Sequence, residues 1–225
     1  SVQVHPSDEY ALKNENSYGK TEMWYILDCE EDSFIYCGVK KDISPQEFEK
    51  RINDLTIEDC LEKIYVHPGD AFFIKSGTLH AIGAGILVCE IQQNSNLTYR
   101  VYDYGRTDAN GQTRELHIEK ALKVSNLKSG GNARIDSKPI RSQDFTAYPL
   151  ADCRYFKTDR YDITGTLDLH AGPDSFVSLI IIDGEAEVSG HHNSVSCKKG
   201  DSIFIPADAG KITVTGKCGL IKTML

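Results

Sequence analysis

The chain has 225 residues, enough for one large domain or two small ones with real cores. It is moderately acidic, with 33 Asp and Glu against 25 Lys and Arg, and carries no basic stripe, which argues against nucleic acid as a partner. No apolar run approaches the ~20 residues of a membrane helix and no signal-peptide pattern is present, so no membrane association is expected.

Gln3 and His5 stand two apart near the start, an alternation that puts both on one face of a strand and Val2 and Val4 on the other. Pro6, which has no N–H for a ladder, ends that strand. Residues 7–21 are polar and turn-rich and read as a loop. Strands are expected at 22–28 and 33–39, joined by the acidic turn Glu30-Glu31-Asp32. Ser44-Pro45 followed by Glu47 reads as a helix start. The stripes Phe48/Ile52/Leu55 and Ile57/Leu61/Ile64 predict two small helices, an insertion near 45–64.

The strand pattern returns at His67. Pro68-Gly69-Asp70 is a turn, followed by strands at 71–75, around His80, at 86–92 and at 98–104. Residues 105–114 read as a loop, 115–124 as a helix, and the stretch from Ser125 to Pro139, with Gly130-Gly131, as linker. Short strands with turns between them fill the rest from Phe145. The pattern predicts a mainly β protein of sandwich or jelly-roll type. Its domains are expected at 1–130 and 145–225, with a linker over 131–144. The chain begins inside what reads as a strand, with no methionine, so either a preceding segment was cut away or the start was placed there. The seven cysteines are scattered and never spaced Cys-x-x-Cys, a pattern of reduced thiols in a cytoplasm.

Gln3, His5, Glu22 and His80 are candidate metal ligands. Two histidines and a carboxylate hold zinc or a related divalent ion and leave a position open, and a glutamine carbonyl adds a weaker ligand. Any one such histidine taken alone is more often a hydrogen-bonded or surface residue. His67, His117, His170, His191 and His192 have no partner pattern and read as surface or turn residues.

An internal repeat bears on this choice. Residues 67–74 resemble 198–205, and 23–28 resemble 178–183. The alignment sets His80 against Lys211 and Glu22 against Val177, so the second half reads as a copy without the ligands. Arg100 alternates with Thr98, Tyr102 and Tyr104 on one face. An inward arginine requires an anion, either a ligand or an ion-pair partner such as Glu90 or Asp103.

Taken together, residues 1–6 (SVQVHP), 19–27 (GKTEMWYIL), 68–83 (PGDAFFIKSGTLHAIG), 90–104 (EIQQNSNLTYRVYDY) and 114–122 (RELHIEKAL) resemble the type I mannose-6-phosphate isomerases in their short bacterial form. The likeness is dense from residue 1 to about 125 and looser beyond, and the family's N-terminal segment is missing. It implies a cupin, a double-stranded β-helix; with the repeat and the helical stripes, the expected fold is two cupin-type jelly-roll barrels with a small helical insertion, the first barrel metal-binding and the second degenerate. It implies one zinc per chain on Gln3, His5, Glu22 and His80, with Arg100 as the active-site arginine. The implied reaction interconverts mannose 6-phosphate and fructose 6-phosphate through an enediol. Arg100 is then assigned to the developing enediolate, Glu90 to acid/base work, and Lys20 to proton transfer or substrate holding. Trp24, on the face of Glu22, is expected in the core or as a pocket floor. The expected partner is a small sugar phosphate, and the expected state a monomer, with a dimer as the alternative. Two competing readings are a non-catalytic sugar-binding cupin and an iron-dependent cupin oxygenase.

Overall fold

The computed structural model describes residues 1–131, 133–191 and 193–225. They form two compact units, Ser1–Ile135 and Asp136–Leu225. Among the described residues no helix is long and apolar enough to cross a membrane.

The first unit runs β1 (Val2–Val4), α1 (Asp8–Glu15), β2 (Glu22–Cys29), β3 (Phe34–Val39), α2 (Pro45–Asn53), β4 (Leu61–Tyr65), β5 (Ala71–Ile74), β6 (His80–Ile82), β7 (Ile86–Gln92), β8 (Tyr99–Tyr102) and α3 (Ile118–Val124). One antiparallel sheet has the order β4-β3-β6-β1-β8 and a second the order β5-β2-β7. Alternation divides the side chains between two cores. Val2, Val4, Leu79, Ala81, Tyr99 and Val101 pack with Phe48, Ile52 and Ala121 of the helices. Trp24, Ile26, Ile35, Cys37, Phe72 and Ile74 build the other core, from β2, β3 and β5. Gln3, His80 and Arg100 are the residues between those helix-facing ones, so they share the opposite face of β6-β1-β8.

The second unit runs β9 (Ile140–Arg141), β10 (Phe145–Asp152), β11 (Lys157–Ile163), β12 (Thr166–Ala171), β13 (Val177–Ser189), β14 (Ser194–Lys198), β15 (Ser202–Ile205) and β16 (Gly210–Met224). Its sheet has the order β14-β13-β16-β11-β10-β9, with β12 on β16 and β15 on β13. The protein is mainly β, as the sequence predicts.

The repeat is visible in the hydrogen bonds. Glu22 pairs with Ile74 and Tyr25 with Ala71; Val177 pairs with Ile205 and Ile180 with Ser202, the same register. Gly69 N–H donates to Ile26 C=O and Gly200 N–H to Ile181 C=O, each at 2.8 Å. Both turns need a residue at positive φ, +94° at Gly69 and +95° at Gly200, which glycine adopts without steric cost. Asp70 and Asp201 each accept the N–H three residues upstream at 2.8 Å.

Three local expectations need correction. Residues 8–15, within the expected loop, form α1. Ser7 caps it by accepting from Tyr10 N–H, and Asn16 closes it in the left-handed region. Only Ala11 of α1 is buried, so no apolar stripe announces it. The second small helix is instead a single 3-10 turn, Ile57–Cys60, leading into β4. Leu61 joins the helix-side core and Ile64 packs on the other, because residues three apart face opposite sides of a strand. The third helix begins at Ile118, and 115–117 are non-helical. Farther on, Phe73 N–H donates to Ala133 C=O and Ile135 N–H to Ala71 C=O, so 133–135 run beside β5.

Candidate functional site

β1 ends at Val4 and Pro6 turns the chain away, which leaves His5 beside β2; Gln3 lies between His80 and Arg100 on the neighbouring strands. Glu22 opens β2 and His80 opens β6. The side chains converge. His5 Nε2 lies 3.5 Å from Glu22 Oε2, His80 Nε2 lies 3.4 Å from Glu22 Oε1, and the Gln3 amide lies 3.2 Å from His80 Nε2. The donor atoms of His5, Glu22 and His80 all fall within 4.8 Å of one another. Each of these three residues is 1% exposed.

The backbone fixes both imidazole tautomers. His5 Nδ1 lies 2.8 Å from Leu97 C=O, and His80 Nδ1 lies 2.8 Å from Thr78 C=O. A carbonyl only accepts, so each Nδ1 carries the proton and each Nε2 offers a lone pair. Burial keeps both rings neutral, pulling His5 down to about 2 and His80 down to about 4. Two lone pairs therefore face a carboxylate inside the protein. Among the described residues, His5 Nε2 and both Glu22 oxygens have no hydrogen bond of good geometry, although Lys20 Nζ stands 3.2 Å from Glu22 Oε2. Converging acceptors of this kind fit a divalent cation, and the N/N/O set suits zinc. Gln3 completes the set if its amide rotates to present oxygen in place of nitrogen, a change of assignment and not of shape.

Lys20 links this cluster to Glu90: its Nζ lies 3.4 Å from Glu90 Oε1 as well as 3.2 Å from Glu22. Glu90 is the cross-strand neighbour of Trp24 on β7. Burial and the nearby Glu22 charge raise its pKa, and Lys20 opposes both. Glu22 is likewise raised by burial against the pull of Lys20. Trp24 is buried in the core and meets the His80 ring edge-on at 5.4 Å.

Arg100 shares its face with Gln3, its cross-strand partner. Its Nη1 donates to Glu115 C=O at 3.0 Å, and its buried Nε has no hydrogen bond among the described residues. The two carboxylates expected to be able to neutralise it are engaged elsewhere, Asp103 by Arg106 and Arg114 and Glu90 by Lys20. His117 corrects the surface reading: it is one-quarter exposed at the side chain, its Nδ1 accepts from Arg100 N–H at 3.1 Å, and its own N–H donates to Arg100 C=O. Spacing gave no sign of this, because Arg100 and His117 are joined by a long polar loop. His67 does lie at the turn, beside Asp70. His170 sits on β12 opposite Lys211. His192 lies outside the described residues.

Comparison with known proteins shows the family. A family model described as mannose-6-phosphate isomerase, cupin domain, matches residues 145–225, where the likeness by motif is looser. The mannose-6-phosphate isomerase ManA of Bacillus subtilis is 38% identical over 217 residues, 96% of this chain and 68% of that protein. The putative mannose-6-phosphate isomerase YvyI of the same organism is 39% identical, over 98% of this chain and 69% of its own length. The crystal structure of the Bacillus subtilis mannose 6-phosphate isomerase superposes with a TM-score of 0.91 at 38% identity, covering 99% of this chain and 70% of that one.

Proposed function

Because the chain belongs to the mannose-6-phosphate isomerases, enzymes of cupin fold, we propose that it interconverts mannose 6-phosphate and fructose 6-phosphate at the cluster of its first unit. Family membership favours this over the sugar-binding and oxygenase readings. The chain spans just over two thirds of its curated relatives. On this reading, residues 1–130 are the metal-binding domain and 145–225 its degenerate partner. The unpaired cysteines suit the cytoplasm.

Gln3, His5, Glu22 and His80 would hold one zinc ion. When bound, zinc supplies Lewis acidity to the sugar oxygens that gain negative charge. The reaction moves a proton between C2 and C1 through an enediol, and the chain's own groups move it. Glu90 takes the proton from one carbon and returns it to the other. Burial and the Glu22 charge raise its pKa toward the working pH of a general base, and Lys20 at Oε1 opposes that rise. Lys20 is also placed to hold a sugar hydroxyl. Arg100 offers its free Nε–H to the enediolate oxygens, an interaction that strengthens as charge develops.

The observation that supports this reading is Lys20, whose Nζ lies 3.2 Å from Glu22 and 3.4 Å from Glu90, within reach of both the proposed ligand and the acid/base candidate. The test is a coupled assay of fructose 6-phosphate formation, run before and after chelation and after zinc is restored. Activity lost on chelation and recovered with zinc is the expected result. Full activity in a chain stripped of metal would contradict it.

A further inference from the structure

Arg100 is held in place by a later stretch of its own chain, and a buried carboxylate holds that stretch in turn. The Arg100 backbone is clamped on both sides by His117, and its Nη1 bonds Glu115 C=O. The Glu115 side chain is 83% exposed and residues 115–117 are non-helical, so this carbonyl has no regular element to fix it. His117 holds the stretch on one side of this carbonyl, and the preceding residue anchors it on the other. Arg114 Nε donates to Asp103 Oδ2 at 2.7 Å, and Arg114 Nη2 donates to Oδ1, a two-point fork. Asp103 is 6% exposed and lies three residues past Arg100. The contacts close a ring: Arg100, Asp103, Arg114, Glu115 and back to the Arg100 guanidinium.

We infer that Asp103 and Arg114 are positioning residues for the isomerase reaction: their ion pair fixes the Glu115 carbonyl, which aims the Arg100 guanidinium along the face that carries Gln3 and His80. The inference rests on the role proposed above for Arg100. Among the described residues the guanidinium has its hydrogen bond at Nη1 and a buried, unused donor at Nε. A planar group held at one point keeps its aim only while that point is fixed, and small misplacements near a reacting centre are costly. A buried donor without a bond is itself unfavourable, and an anionic sugar oxygen would satisfy it.

The test compares Arg114→Ala, Arg114→Lys and Asp103→Asn with the parent chain, and repeats Arg114→Ala in an Arg100→Lys background. kcat, KM and bound metal are measured, together with the side-chain Nε–H resonance of Arg100 in a ¹⁵N-labelled protein. Arg114→Ala is expected to lower kcat about 10-fold with KM and metal content little changed, and to shift or broaden the Arg100 resonance. Arg114→Lys should recover part of the loss, since it keeps the charge on Asp103 and forfeits the fork. With Arg100 already replaced, Arg114→Ala should cost at most about twofold more, because coupled residues are not additive. Equal losses in both backgrounds, or an unchanged Arg100 resonance, would overturn the inference. If Asp103→Asn does not fold, Arg114→Ala carries the test, its side chain being 48% exposed. A parent chain without isomerase activity would instead count against the proposed function, and the resonance alone would then decide the positioning.

Discussion

Glu22 and Val177 occupy the same place in the two units: Glu22 pairs with Ile74 and Val177 with Ile205, each at the start of a strand whose ladder is broken by a bulge five residues on. Both are 1% exposed. One position thus carries a buried carboxylate facing two imidazole lone pairs, and its counterpart carries a buried apolar side chain. The matching ladder of the second unit forms without a charge at this position. Glu22 stands there at a cost to stability, which function explains better than packing does.

Glu22→Gln therefore separates stability from metal binding. Without metal, the amide removes a buried charge and gives His5 or His80 a donor. In chelator the variant should be more stable than the parent by about 1–3 kcal/mol, read as a higher melting temperature. The increase in melting temperature that zinc gives the parent should be absent from the variant. A Glu22→Gln protein that melts below the parent in chelator would mean that the carboxylate is a structural partner of Lys20.

Arg100→Lys keeps the charge but loses the planar fork. kcat is expected to fall about 10²- to 10³-fold with little change in KM, as when a donor to a developing oxyanion is removed. Zinc content should not change. A raised KM at near-normal kcat would make Arg100 a ground-state contact.

Asp103 supplies a pH signature outside the metal cluster. Its bonds to Arg114, then Arg106, hold its carboxyl below the usual carboxylate range. A group with a depressed folded pKa adds stability that is present above its unfolded pKa, near 3.9, and is lost as pH falls toward the folded value. At neutral pH, Asp103→Asn should be less stable than the parent by about 1–3 kcal/mol. Urea midpoints measured from pH 7 downward should show that gap constant to about pH 4 and closing below it. A gap independent of pH would assign the loss to packing.

Much of the site was legible because strand alternation carries it. The alternation of Gln3 and His5 with Val2 and Val4 set the faces of β1, and Val2 and Val4 do pack in the helix-side core. Glu22, His80 and the repeat followed from motifs that the hydrogen-bond register then matched. What escaped was fixed by tertiary contact. α1 buries one small residue, so its cap was the sole local signal. Ile57, Leu61 and Ile64 carry a helical spacing only because β4 has a core on each side. Lys20, just before β2, gave no sequence reason to meet Glu90, which lies on β7. The bracing of Arg100 by Glu115 and His117 spans a polar loop whose course composition does not dictate.

The measurement that bears most directly on the account is zinc content per chain, by elemental analysis, for the parent and for His80→Ala, with circular dichroism on the same samples. Close to one zinc is expected in the parent and almost none in His80→Ala, with the β-sheet spectrum unchanged, because the matching ladder of the second unit forms without these ligands. Zinc retained at parent level in a folded His80→Ala, or a parent that takes up none from zinc-containing buffer, would contradict it.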